Sequence, residues 1–367
     1  MRVGAARSLL DGRLRRCDLV VADGRVVDTA PPAAGELLAV PGLVDLQVNG
    51  FAGVDLLTAD VDGYREVGAA LLGTGVTAYL PTFISCAPEV ATAALATLTE
   101  ARRSAAGPEL PGAHLEGPFL SARRAGTHPV DALRAPDLEL ARRLLAAGPV
   151  SLMTLAPELP GALDLIRQLR AAGVAVSLGH SDATGAEARL GFGAGAAAVT
   201  HLFNGMRPLH HREPALAGAA LSDPGVLLGV IADGVHVAPE LLGVVGRAAP
   251  GRVLAVTDAI AAAGAPDGDY RLGDVPVRVR DRVARRDDGV LAGSTLTMPA
   301  AIRALRDAGL PLLAALAAAT STPARLLGRP DLGVLRVGGR ADVVLLDPDL
   351  TVRRTLLAGR PHPGAHR

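Results

Sequence analysis

Between residues 43 and 257, short apolar runs alternate with longer stretches in which Leu, Val and Ala return to one helical face. Eight of the runs read as strands: Leu43–Val48, Thr77–Pro81, Gly112–Glu116, Val150–Ala156, Ala175–Gly179, Ala197–Leu202, Val226–Ala232 and Val253–Thr257. Most are nearly continuous in apolar character, which marks strands buried on both faces. Helical spacing covers Val61–Leu72, Glu89–Arg103, Leu138–Ala147, Ala162–Ala171 and Pro239–Ala248 between them. Eight buried strands with crossover helices predict an α/β fold, a (β/α)8 TIM-like barrel. The two ends of the chain differ. Residues 14–28, LRRCDLVVADGRVVD, read as strand, Asp-Gly turn, strand. Residues 333–360 read as more strands, with turns at Gly338–Gly339 and Asp347–Pro348. The ends are expected to pair into a small β-sandwich domain of residues 1–42 and 330–367, beside a barrel of residues 43–329.

Barrels of this kind gather their chemistry at the C-terminal ends of the strands. Those ends carry Gln47 and Asn49, Thr82, Glu116, Pro157, His180, His201, Asp233 with His236, and Asp258. Seven of the nine histidines lie between His114 and His236. Buried polar groups are costly without partners, so their recurrence at one structural level points to a site. Glu116, His180 and His201 form a His2Glu donor set that leaves a position open for water. The other reading of Glu116 is a buried carboxylate paired with arginine. Asp258 is placed to take a proton from water and return it to a leaving group; its other reading is a helix N-cap. Arg212 offers an anion two parallel hydrogen bonds, or it forms a surface pair with Glu213. His128 and His236 are loop histidines that suit substrate contacts, and His114, two residues before Glu116, suits a supporting role. His210, His211, His362 and His366 receive no role, and the tail GRPHPGAHR is expected to be a flexible end.

Composition narrows the classes. The 367 residues are 49% apolar, ample for one large core, and 37 basic residues balance 37 acidic ones. A net charge of zero gives no electrostatic case for nucleic acid or a membrane surface. The opening MRVGAARSLLDG has no apolar core of a secretory signal, and no run reaches the ~18 apolar residues of a membrane span. Cys17 and Cys86 lie far apart without CxxC partners, which suits small buried residues in a reduced cytoplasm. All 37 basic residues are arginine. The absence of lysine excludes Schiff-base chemistry, a P-loop lysine, and a carboxylated lysine bridging two metals.

Assembled in order, PGLVDLQVNGFAGVDL, HLEGPFL, GTH, GHSDAT, THLFNGMRPLHHREPALAGAAL, ADGVHV, VTDAI, LAGSTLTM and ATSTPARLLG resemble the N-acetylglucosamine-6-phosphate deacetylase family of the amidohydrolase superfamily. The resemblance covers nearly the whole chain. It implies a barrel plus small β-sandwich, and hydrolysis of the acetamide of N-acetylglucosamine 6-phosphate to glucosamine 6-phosphate and acetate. The family's metal ligands fall on Glu116, His180 and His201, and its catalytic aspartate on Asp258. Its substrate contacts fall on Thr127, His128, Asn204, Gly205, Arg212, His236 and the backbone of Leu291, Ala292 and Gly293; His128 also steadies the developing oxyanion. It further implies a homodimer in which Arg212 reaches the neighbour's site. Some family members carry His-x-His on the first strand and bind two metals; others carry Gln-x-Asn and keep one. Gln47 and Asn49 put this chain in the second group, since amides are poor ligands beside imidazole. One divalent metal per subunit is therefore expected, zinc first, with iron(II), cobalt(II) or manganese(II) compatible with the donors. Gly205 stands where the family commonly has Ala, which a backbone contact should survive. Two other readings stay open: a related amidohydrolase acting on a cyclic amide or nucleobase, and a scaffold protein with a decayed site.

Overall fold

The computed structural model describes residues 1–104 and 107–362. At its centre, eight parallel strands each pair with the next in chain order. They are β1 (Leu43–Val48), β2 (Val76–Ile84), β3 (Ala113–Glu116), β4 (Val150–Leu155), β5 (Ala175–Leu178), β6 (Ala198–Val199), β7 (Leu227–Val230) and β8 (Val253–Ala255). The ring closes just beyond β8, where Val48 pairs with Ala259. The expected (β/α)8 barrel is present. All five expected helices form, at Val61–Gly73, Pro88–Arg103, Leu138–Ala147, Ala162–Ala171 and Pro239–Ala248. Their logic is local. In Ala162–Ala171 the buried residues are Ala162, Leu165, Ile166 and Leu169, one stripe at helical spacing. Asp60 and Asp137 cap the first and third helices by accepting backbone N–H bonds.

Several strands are shorter than their apolar runs. β6 holds only Ala198 and Val199 of the expected Ala197–Leu202. The cause is visible in the backbone: His180, His201 and Asp258 have φ of 46°, 30° and 50°. These left-handed turns lift the strand ends out of the ladder and tip their side chains into the barrel mouth. Such φ values cost a residue other than glycine on the order of 1–3 kcal/mol and persist only where surroundings enforce them. No helix follows Asp258 until Met298–Asp307, so the N-cap reading of that residue is set aside.

The termini form a six-stranded sheet in the order Arg13–Arg15, Arg7–Leu10, Leu38–Pro41, Val343–Leu346, Val352–Leu357 and Arg360–His362. A hairpin, Asp18–Ala22 with Arg25–Ala30, covers one face through its Asp23–Gly24 turn, both residues at positive φ. Alternation then sorts side chains between two cores. Ala39, Val343 and Leu345 pack with Leu19, Val21 and Val26 of the hairpin. Leu38, Val40, Val344 and Leu346 join the barrel core. The sheet sits at the N-terminal ends of β1 and β2, where Gly42 N–H donates to Asp342 O at 2.9 Å. It is therefore far from the mouth. Part of the tail expected to be flexible, Arg360–His362, is an ordered edge strand; residues 363–367, including His366, lie outside the described residues. Cys17 and Cys86 are free and half-buried rather than buried. Among the described residues no helix is long and apolar enough to cross a membrane.

A three-stranded antiparallel sheet, Gly268–Leu272, Val275–Arg280 and Val283–Arg285, follows β8 and was not among the expected elements. It ends in a tight hairpin, with Arg286 N–H donating to Val290 O at 2.9 Å and Arg285 paired with Leu291. Thr127 Oγ1 donates to Leu291 O at 3.0 Å, and Arg286 Nη1 to Gly126 O at 3.0 Å. These bonds fasten the hairpin across the mouth.

Candidate active site

A cavity of about 340 Å³ opens at the C-terminal ends of the strands. Glu116, His128, His180, His201, His236 and Asp258 line it, with Thr127, Asn204, Gly205, Leu291 and Gly293. A larger concavity of about 520 Å³ lies elsewhere, beside Tyr64, Glu109 and Arg340. The only group of three metal-capable donors found among the described residues is at the barrel mouth, so the chemistry belongs to the smaller cavity.

The donor atoms of Glu116, His180 and His201 lie within 4.8 Å of one another. Glu116 Oε1 is 3.2 Å from His180 Nε2 and 2.9 Å from His201 Nε2, and the two Nε2 atoms are 3.1 Å apart. The opposite ring nitrogens face backbone carbonyls: His180 Nδ1 lies 2.8 Å from Arg124 O, and His201 Nδ1 3.2 Å from Asn204 O. A carbonyl only accepts, so Nδ1 carries a hydrogen, and the ring form that binds a cation is the one that turns a bare Nε2 lone pair into the cluster. Two lone pairs and a carboxylate oxygen converging in a buried space call for a cation between them. The residues fit a divalent metal. The arginine-paired reading of Glu116 is set aside, because its neighbours are imidazoles and the Gln47 amide.

Asp258 stands beside this cluster. Burial, reinforced by the charge of Glu116, pushes its carboxyl up to about 6. Its Oδ1 accepts from Gln47 Nε2 at 3.0 Å and from Asn49 Nδ2 at 2.8 Å. The two amides of β1 thus sit in the site itself. Asn49 Oδ1 is buried without a partner among the described residues. His128 is also fixed in its tautomer. Ser85 N–H donates to its Nδ1 at 3.1 Å, so the remaining hydrogen is on Nε2. Burial and the neighbouring imidazoles push His128 down to about 3, so the ring is neutral and is a hydrogen-bond donor at working pH. His236 Nδ1 pairs with Asp233 Oδ2 at 2.7 Å. His114 has the supporting place expected, with Nε2 2.7 Å from Thr154 Oγ1 beneath the cluster. Burial pushes it down to about 4.

Two expected contacts stand apart from the cavity. Ala292 is buried behind it, with its N–H spent on Ala284 O at 3.1 Å. Arg212 is exposed and does not line the cavity of its own chain. Nor does it pair with Glu213, whose carboxylate accepts from Gly185 N–H and Ala215 N–H instead. Arg285 of the hairpin does line the cavity, unforeseen, with Nη1 donating to Gly289 O at 2.7 Å. Ile84, Ile231 and Leu272 supply apolar wall.

A parallel barrel whose strand ends converge one carboxylate and two imidazoles, with a second carboxyl alongside, has the architecture of a metal-dependent hydrolase. The chain belongs to the amidohydrolase family, which it matches over residues 38–361. It is 37% identical over 341 residues to the N-acetylglucosamine-6-phosphate deacetylase of Vibrio furnissii, covering 92% of this chain and 85% of the relative. It is also 37% identical to the N-acetylgalactosamine-6-phosphate deacetylase of Escherichia coli O157:H7, over 95% of this chain and 94% of that protein. Among solved structures, a point mutant of the Mycobacterium smegmatis N-acetyl-D-glucosamine-6-phosphate deacetylase, in complex with N-acetyl-D-glucosamine-6-phosphate, superposes with a TM-score of 0.92 at 37% identity, covering 97% of both chains.

Proposed function

We propose that this protein hydrolyses the N-acetyl group of N-acetyl-D-glucosamine 6-phosphate, giving D-glucosamine 6-phosphate and acetate in amino sugar metabolism. The observation that carries this reading is the convergence of Glu116, His180, His201 and Asp258 in one buried cavity. The similarity to deacetylases of that name over most of the chain supports the substrate. Glu116, His180 and His201 would hold one divalent cation, zinc first because two imidazoles and a carboxylate are a common zinc donor set, with iron(II), cobalt(II) or manganese(II) as substitutes. When bound, the cation supplies Lewis acidity and makes water a better nucleophile near neutral pH.

The chain's own residues do the rest. Asp258 takes a proton from the attacking water as its oxygen adds to the acetyl carbon. His128 Nε2–H donates to the carbonyl oxygen as negative charge develops there. Asp258 then passes its proton to the nitrogen, the C–N bond breaks, and acetate leaves. Thr127, Asn204, Gly205 and the backbone of Leu291–Gly293 shape the sugar pocket. His236 and Arg212 hold the 6-phosphate, with Arg212 supplied by the partner in a homodimer. We assign residues 43–329 as the catalytic unit and residues 1–42 with 330–367 as the small β-sandwich domain. The free thiols of Cys17 and Cys86 support a reducing compartment, the cytoplasm.

The test is acetate release from N-acetylglucosamine 6-phosphate by metal-quantified enzyme, with the unphosphorylated sugar, N-acetylgalactosamine 6-phosphate, a dihydropyrimidine and a nucleobase alongside. Asp258→Asn is expected to keep the metal and lose on the order of 10²-fold or more in kcat. The acid limb of kcat/KM should lie at or below about pH 6, because Asp258 must be ionised and a bound cation lowers its proton affinity further. Near-normal turnover of Asp258→Asn, or turnover of the cyclic amide alone, sinks the reading.

A further inference from the structure

Gln47 and Asn49 have no part in the reaction as drawn, yet they lie against both of its carboxylates. Gln47 Nε2 donates to Glu116 Oε2 at 3.2 Å and to Asp258 Oδ1 at 3.0 Å. Asn49 Nδ2 donates to the same Asp258 Oδ1 at 2.8 Å. All four side chains are buried. An ionised carboxylate only accepts, so each amide must present nitrogen, not oxygen, to it. Both hydrogens of Gln47 Nε2 are thereby used, one on each carboxylate. Glu116 Oε1 is left facing His180 and His201. Asp258 Oδ1 holds two donors, whereas no described residue donates to Asp258 Oδ2. The backbone below is fixed as well: Asn49 N–H donates to Ala259 O at 2.7 Å and Asn49 O accepts from Leu56 N–H at 2.8 Å.

We propose that Gln47 and Asn49 are positioning residues that divide the four carboxylate oxygens: Gln47 turns Glu116 Oε1 toward the cation, and the two amides together leave Asp258 Oδ2 as the oxygen that takes the proton. This rests on the deacetylase reading above. The physical need is plain. Two buried carboxylates side by side repel and are free to rotate. A neutral double donor between them offsets the repulsion without adding a charge, and it locks both torsions. Gln47 acts on the cation site and on the base, whereas Asn49 acts on the base alone.

That asymmetry is the test. Metal-stripped wild type, Gln47→Met and Asn49→Ala are titrated with Zn²⁺ in a calorimeter, and the reloaded proteins are assayed for acetate release. Gln47→Met should bind zinc about 10-fold or more weakly, as loss of a ligand's supporting hydrogen bond does, with Asn49→Ala within about 2-fold of wild type. Both reloaded variants should lose on the order of 10- to 100-fold in kcat, with KM within about 3-fold, as a misplaced catalytic group does. Equal weakening of zinc by the two variants, unchanged kcat in either, or a loss confined to KM overturns the proposal. Should Gln47→Met show no folding transition, Gln47→Ala, which leaves room for water beside the carboxylates, replaces it. If wild type releases no acetate, the deacetylase reading fails, while the zinc difference still decides the Glu116 assignment.

Discussion

At the scale of single residues, Asp45 carries a cost the catalytic residues do not explain. It is fully buried in β1, and burial pushes its carboxyl up to about 7, with the nearby Asp258 charge adding to the rise. Thr257 Oγ1 at 2.6 Å and the backbone N–H of Gln47 at 3.2 Å only partly offset this. An unfolded aspartate titrates near 3.9. Between that value and about 7 the folded chain holds a proton the unfolded chain has lost, so stability present below pH 4 is lost as pH rises through 7. Asp45→Asn stays neutral throughout. Its stability relative to wild type, followed as Tm at each pH, should be level or lower at pH 4 and higher at pH 8, a swing of at most about 4 kcal/mol in unfolding free energy. A constant offset across that range would show that Asp45 titrates normally. How far single residues were legible in the sequence follows from the same geometry. Glu116, His180, His201 and Asp258 announced themselves, because their types are rare at the ends of apolar strands. The use made of Gln47 did not, since its partners Glu116 and Asp258 lie 69 and 211 positions away and only barrel closure brings them together.

At the scale of elements, the barrel strands were legible in existence and not in length. Apolar character runs on past the ladder at His201 because the residues that turn into the mouth are flanked by buried ones, Val199 and Leu202. The sheet after β8 carries an equally plain signal in the sequence. In Val275–Arg280, Val277 and Val279 are buried while Arg278 and Arg280 are exposed, a strict period of two. That sheet brings Arg285 to the cavity, whereas the loop bearing Arg212 leaves its guanidinium exposed. The proposed phosphate role of Arg212 needs a partner chain, whereas one for Arg285 would not, and a mixing experiment separates the two. Arg212→Ala should cost roughly 2–4 kcal/mol in kcat/KM for the phosphorylated sugar and little for the unphosphorylated one. Mixing Arg212→Ala with Asp258→Asn chains should restore activity, because one site of the mixed dimer then has both groups. If mixing fails and Arg285→Ala instead abolishes the preference for phosphate, each chain completes its own site.

At the scale of the whole molecule, the question is whether the terminal sheet is an appendage or part of one folding unit. Its strands answer by alternation. Leu38 and Val40 face the barrel core while Ala39 faces the hairpin; Val344 and Leu346 face the barrel while Val343 and Leu345 face the hairpin. A sheet apolar on both faces cannot expose either without losing burial worth roughly 25 cal/mol per Å². Gly75, at φ 87°, lets Val344 approach the barrel floor: a Cβ there would meet the Val344 methyls at 3.1 and 3.2 Å. Polar ties run alongside, with Glu109 accepting from Arg329 at 2.6 Å and from Arg340 at 2.9 Å. Melting either layer therefore exposes apolar residues of the other's core, so the two are expected to unfold together. Calorimetry of the metal-loaded protein should show one transition whose calorimetric and van't Hoff enthalpies agree per cooperative unit. Val344→Ala, on the barrel side, and Leu345→Ala, on the hairpin side, should both lower that single transition, by about 1–4 kcal/mol each for methyl groups lost from a packed core. Two resolved transitions, with Leu345→Ala moving only one of them, would make the sandwich an independent domain and leave the barrel's stability to its own strands.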